Sequence, residues 1–190
     1  MDAISYVTLA AAAALAVYAV VIYNNLVLLK HAVAKAWANI DVLLKQRHDE
    51  LPKLVETCRQ YMRYEQETLD RVMKARSAVS AARGQGDINA LGPAETALHA
   101  GLMRLFALAE AYPDLKANEG FQHLQARVTG LESDIADRRE LYNESVNLNN
   151  VRIDQFPDLL IARLFGFGPR PLLELPAADR VDPDLRALFG

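Results

Sequence analysis

The chain has 190 residues, 52% of them apolar and 24% charged, with a formal net charge of -3. That length allows one compact core and an extra segment, and the composition excludes a disordered chain. Charge is mixed in sign with no lysine- or arginine-rich run, which argues against a nucleic-acid partner. The single cysteine, Cys58, excludes an internal disulfide and reads as a small buried side chain.

Residues 3–29 contain no charged side chain, and "ISYVTLAAAAALAVYAVVIY" supplies about 20 residues, which at 1.5 Å rise cross roughly 30 Å of hydrocarbon. This reads as a transmembrane helix, with residues 1–23 as the anchor and Tyr6 and Tyr23 near its ends, where an amphipathic ring suits the headgroup layer. The competing reading is a cleaved signal peptide, from the "ALA" ending at Ala16. Against it, no basic leading region is present and apolar residues continue to Ile22. Lys30 and Lys35 follow the span and no basic residue precedes it, so the expected topology is single-pass in a membrane, N-terminus out and bundle in the cytoplasm. Ala10 with Ala14, and Ala12 with Ala16, place small residues four apart, a spacing that lets neighbouring spans approach and suggests a homo-oligomer.

No proline precedes Pro52 and no glycine precedes Gly84, so the span is expected to run directly into the first soluble helix. Its stripe is Leu26, Leu29, Val33, Trp37, Ile40 and Leu44. Pro52 suits the first turn of a second helix, with Leu51, Val55, Cys58, Met62, Leu69, Val72 and Val79 on one face and "GQGD" at its end. A third helix is expected from near Gly92 and Pro93, carrying Leu98, Leu102, Leu105, Ala109 and Tyr112 on one face and closed by Pro113 and Asp114. The fourth starts at Asn118 as N-cap, with Phe121, Leu124, Val128, Leu131, Ile135, Tyr142 and Val146 in near-heptad, coiled-coil spacing.

Short connections make sequential helices neighbours of opposite direction. The expected fold is therefore all-α, an N-terminal transmembrane helix continuing into an antiparallel four-helix bundle over residues 24–155. Residues 156–168 form a membrane-near apolar segment. Residues 169–190 hold four of the chain's eight prolines and read as an extended, flexible tail. A returning fourth helix brings Phe156, Leu159, Leu160, Leu164, Phe165 and Phe167 back toward the bilayer. There they either insert at the interface, with Arg163 and Arg170 toward headgroups, or cover the open end of the core.

Catalytic signals are weak. Glu95 and His99 lie one turn apart, as do Glu119 and His123, but the two pairs fall at opposite ends of an antiparallel bundle. His48, Asp49 and Glu50 fall at the same end as Glu119 and His123, which leaves a metal-dependent enzyme with a distal site as a minor reading, although the spacing matches no ligand motif. Asp41 borders the first stripe and reads as a local ion pair with Lys45 or a polar tie between helices. Asn143, Asn147 and Asn150 in "YNESVNLNN" are read either as buried register-setting residues or as an exposed partner-binding strip.

The chain resembles the LemA family of bacterial membrane-associated helical proteins. The resemblance rests on "YNNLVLLKHAVAKAWANIDVLLKQRHDELPKLVE", "ALAEAYPDLKANEGFQHLQ", "YNESVNLNN" and "FPDLLIARLFGFG", in that order, and covers about residues 6–174, with the tail beyond Glu174 outside the pattern. It implies an N-terminal membrane helix, a four-helix bundle and no established enzymatic activity. It also implies a scaffold or assembly role, since some members are associated with organelle-like membrane compartments. The motif falls here on Tyr23, Asn24, Trp37, Asp41, Pro52, Tyr112, Pro113, Asp114, Asn118, Tyr142, Asn143 and Phe156, as signature positions rather than catalytic ones. The expected function is thus non-enzymatic: a membrane-anchored scaffold or interaction module, self-associating, without cofactor or metal, with the lipid bilayer and an unidentified membrane or cytoplasmic protein as partners. A membrane-shaping or organelle-biogenesis factor is the alternative.

Overall fold

The computed structural model describes residues 2–174, and among these it contains helices and no strand. Six helices follow one another: α1 (Ala3–Tyr61), α2 (Gln66–Gln85), α3 (Ile88–Ala109), α4 (Pro113–Lys116), α5 (Glu119–Asp154) and α6 (Asp158–Phe165). Four were expected; α4 and α6 are short additions, and two helix starts fall elsewhere than the sequence suggested.

The larger correction is Pro52. It opens no helix but lies within α1, which runs unbroken for 59 residues. A proline inside a helix has no N–H for the carbonyl four residues earlier, here that of His48. Arg76 of α2 supplies the missing donor, its Nε donating to the His48 carbonyl at 2.9 Å. The break comes at residues 62–65 instead, where the buried Met62 draws the chain inward, its N–H still bonded to the Cys58 carbonyl at 2.8 Å, and Tyr64 stands 94% exposed. α2 then ends as "GQGD" suggested. Gly86 adopts φ 67°, a left-handed conformation that glycine reaches without a Cβ penalty, and Asp87 N–H bonds back to the Ala82 carbonyl at 3.0 Å. Asp87 also caps α3 by accepting from Ala90 N–H at 3.0 Å, so α3 starts five residues ahead of Pro93 rather than at it. The cap decides the start. At α5 the expected N-cap is present, with the Asn118 side chain accepting from Phe121 N–H at 2.9 Å.

The chain divides into two compact units, each fed by parts of α1 and α5. Among the described residues, one comprises 40–139 with 173–174, here called the helical-core unit; the other comprises 2–39 with 140–172, the span unit.

In the helical-core unit, α1 and α2 form an antiparallel hairpin. Asp41 meets Arg83 near its open end, and His48 meets Arg76 closer to the turn. α2 and α3 pack closely enough that Gly101 faces Val72, whose side chain would touch a Cβ placed there at 3.4 Å. Leu44, Leu51 and Leu54 of α1, Leu69 and Val72 of α2, Leu91, Leu98 and Leu102 of α3, and Phe121 and Val128 of α5 are all fully buried. Cys58 is among them, its thiol pushed up to about 12 by burial, an inert side chain rather than a nucleophile.

In the span unit, Ile22 and Leu26 of α1 meet Ile153 of α5 and Ala162 of α6, with Ile161 and Phe167 against them. Trp37 meets Tyr142 edge-to-face with ring centroids 5.9 Å apart. The segment expected to begin a flexible tail is fastened here at its start. The Asn150 side chain accepts from Arg170 N–H and donates to the Arg170 carbonyl, both at 2.9 Å, and the Tyr142 hydroxyl donates to the Pro171 carbonyl at 3.0 Å. Residues 175–190 of the expected tail lie outside the described residues.

Candidate functional site

The most conspicuous charged group in the protein was not anticipated. Arg47 is 1% exposed, and it reaches Glu95 of α3 and Glu132 of α5 with one terminal nitrogen each, both at 2.5 Å. Glu132 in turn lies 3.0 Å from the His99 ring Nδ1. Arg47 Nε finds no partner among the described residues. Burial works against the guanidinium charge, but Glu95 and Glu132 outweigh it and hold Arg47 above its ordinary value. For Glu95 burial prevails over the attraction of Arg47 and raises the carboxyl. The signal was legible in part: Arg47 lies three residues after Leu44 and four before Leu51, a charge set into an apolar stripe. The group ties three helices together, which suits a structural cross-brace.

Asp41 forms the interhelical tie, paired with Arg83 through two hydrogen bonds, one to Nε and one to Nη2 at 3.0 Å. The bond from Arg83 holds its carboxyl below the ordinary range. His48 is engaged in the same hairpin, its ring Nε2 2.6 Å from an Arg76 nitrogen. Because a guanidinium only donates, Nε2 must accept, and the ring is neutral with its proton on Nδ1. Burial and then the Arg76 charge lower its basicity. The distal set of His48, Asp49, Glu50, Glu119 and His123 is not assembled: among the described residues no group of three or more His, Cys, Asp or Glu could hold a metal ion. The sequence reading of that minor site fails because His48 is turned into the hairpin.

The remaining signature residues are mostly helix punctuation and ring contacts. Pro113 opens α4 behind Tyr112, with Asp114 in its first turn. Asn118, besides capping α5, donates to the Tyr61 hydroxyl at 3.1 Å. Asn24 and Phe156 are exposed, and Asn143 is half-buried. In helix α5 the deeply buried asparagine is Asn149, not one of the three singled out. Asn147 is exposed and Asn150 is spent on the Arg170 clamp.

The span unit carries the surface that calls for a partner. Of the large apolar side chains in residues 4–21, Ile4, Tyr6, Val7, Leu9, Leu15, Val17, Tyr18, Val20 and Val21 are all exposed. α1 is the one described helix long and apolar enough to cross a membrane. At its end the apolar segment is divided. Tyr23 meets Phe165 and Phe167 edge-to-face at 4.8 and 5.7 Å, while Phe156, Leu160 and Leu164 remain exposed and Leu159 is half-buried. Arg152 pairs with the buried Asp158 at the start of α6.

These features define an all-helical protein with one helix long and apolar enough to cross a membrane and a ring-lined turn where that apolar stretch ends. The chain belongs to the LemA family, whose model matches residues 36–186. That match begins later than the resemblance in the sequence and, correcting the expected limit at Glu174, runs on beyond it. Two proteins of Paramagnetospirillum magneticum, named magnetosome proteins MamQ 1 and MamQ 2, are 33% identical to it over 79 residues. The magnetosome protein MamQ of Magnetospirillum gryphiswaldense is similar to the same degree. The matching stretch covers 41% of this chain and 29% of each relative's length.

Proposed function

We propose that this protein is a membrane-anchored helical scaffold without catalytic activity of its own, which self-associates and presents its helical-core unit to protein partners in the cytoplasm. The observation that carries this reading is the uncharged stretch 3–29 at the start of the 59-residue α1, whose large apolar side chains from Ile4 to Val21 are exposed. Such a surface is unfavourable in water and suits a bilayer, where an unbroken helix satisfies its own backbone hydrogen bonds. Lys30 and Lys35 support the cytoplasmic orientation. Ala10, Ala12, Ala14 and Ala16 support close packing between spans.

The test is extraction of native membranes with alkaline carbonate, followed by light scattering of the full-length protein in mild detergent. The protein stays with the pellet and elutes as a defined oligomer that Ala12→Leu with Ala16→Leu disrupts. Release by carbonate defeats the anchor; a monomer defeats self-association. A second reading, membrane shaping as part of building an internal compartment, is supported by the exposed Leu160, Leu164 and Phe165 on α6 and by the magnetosome relatives. It requires that the protein deform liposomes and that Phe165→Asp abolish the deformation.

A further inference from the structure

Where the uncharged stretch of α1 ends, the span unit holds a recess of about 300 Å³. Tyr23, Val27, Lys30 and His31 recur along α1 at the spacing of one helix face and form one wall. The buried Asn149 of α5 contributes from a second helix, and the turn 165–170 closes the third side with Phe165, Phe167 and Arg170. That turn is held in shape. Gly166 ends α6 at φ 71°, Phe167 N–H returns to the Ala162 carbonyl at 2.9 Å, and the Asn150 side chain grips both the N–H and the carbonyl of Arg170.

The lining has a definite chemistry. It presents the ammonium of Lys30, the guanidinium of Arg170, the imidazole of His31 and the amide of Asn149, and it contains no carboxylate. None of Lys30, His31 and Arg170 forms an ion pair among the described residues, although Asp41, Glu95, Glu132 and Asp158 elsewhere in the chain are each matched to an arginine. Basic side chains of this kind lining one recess without a carboxylate constitute an anion site, and the tetrahedral oxygens of a phosphate suit them. Position narrows the ligand. Lys30 is the first charged residue after the uncharged run 3–29, so it stands where the chain leaves hydrocarbon for headgroups. The recess is flanked by exposed Tyr23 and Phe165, rings suited to the uppermost part of an acyl chain.

We infer that this recess binds the phosphate of an anionic phospholipid headgroup, with Lys30, His31 and Arg170 donating to its oxygens. The inference rests on the anchoring of α1 proposed above and adds a lipid specificity to it. Free phosphate shares the chemistry and differs in lacking the acyl chains that the rings would meet.

The experiment uses full-length protein in neutral detergent micelles, offered phosphatidylglycerol, phosphatidylcholine of the same acyl chains, or inorganic phosphate, with bound species counted by native mass spectrometry. Wild type retains one phosphatidylglycerol in preference to phosphatidylcholine by about tenfold or more. Lys30→Gln with His31→Gln and Arg170→Gln removes that preference and leaves phosphatidylcholine retention unchanged. All three side chains are exposed, so the variant keeps the wild-type circular dichroism, and Lys53→Gln with Arg59→Gln, exposed basic residues of the helical-core unit, has no effect on either lipid. Millimolar phosphate that displaces phosphatidylglycerol and binds as well without it upholds the anion site but moves its source to solution. Equal retention of the two lipids, or a preference untouched by the triple variant, overturns the inference while leaving the anchor intact. Protein released from native membranes by carbonate overturns the anchor and the inference with it.

Discussion

The two units share α1 and α5 yet differ in how much of their charge and apolar surface is met within the chain. In the helical-core unit the inward charges are matched within the chain: Arg47 to Glu95 and Glu132, Asp41 to Arg83, and the carbonyl freed by Pro52 to Arg76. In the span unit Arg152 meets the buried Asp158, but a long apolar surface is left exposed and three basic side chains line one recess without an acid. A region that completes its own interactions is built to be stable, and one that leaves matched deficits is built to meet something else. Under the proposed reading, the difference directs the search for partners: bilayer and anions at the span unit, proteins at the outer faces of the helical-core unit.

The sharpest way to break this contrast is Arg47→Met, which strands the buried Glu95 carboxyl and should cost about 3–5 kcal/mol in denaturant unfolding of the detergent-solubilised protein. Pairing it with Glu95→Leu should restore most of the loss, since an apolar pair of similar volume replaces a buried ion pair at little net cost. A loss below about 1 kcal/mol for the single variant would mean that the buried network does not hold this unit together. Next in size is Gly92→Ala, because a Cβ there would lie 2.3 Å from the Glu174 carbonyl oxygen. It should destabilise by about 1–3 kcal/mol and speed proteolysis near residue 174. Asn118→Ala removes the α5 cap and the Tyr61 contact, for about 1 kcal/mol in the same unfolding assay.

His48 gives a pH test of smaller amplitude. Burial, reinforced by Arg76, holds the ring below its ordinary value of 6.5, so folding favours the neutral form. Its contribution is complete above pH 6.5 and is lost as pH falls toward the lower folded value. His48→Gln, whose amide oxygen still accepts from Arg76, should flatten the decline in Tm on the acid side of neutrality. A decline identical to wild type would exclude His48 as its source. The smallest effect belongs to the span unit: Lys30→Gln with Arg170→Gln should change unfolding free energy by no more than about 0.5 kcal/mol, because those charges hold nothing inside the chain. A large loss there would erase the contrast between the units.

Read residue by residue, the sequence by itself determined the all-helical class, the uncharged stretch at 3–29, the unbroken passage from it into soluble helix, the cap at Asn118 and the stop at "GQGD". These depend on hydropathy, periodicity and caps, which act within one or two turns of helix and can be read locally. The fate of Pro52 could not be read that way. A proline at that spacing suits a helix start, yet α1 passes through it, with Arg76 of another helix donating to the carbonyl that Pro52 leaves free. Arg47 was visible as a charge in an apolar stripe, but its burial depends on carboxylates from α3 and α5. The recess beside Lys30 likewise exists only because the turn after α6 is clamped against Asn150. In each case the deciding partner is distant in sequence, so what the tertiary structure alone decided is which polar groups are satisfied within the chain and which are left for a ligand.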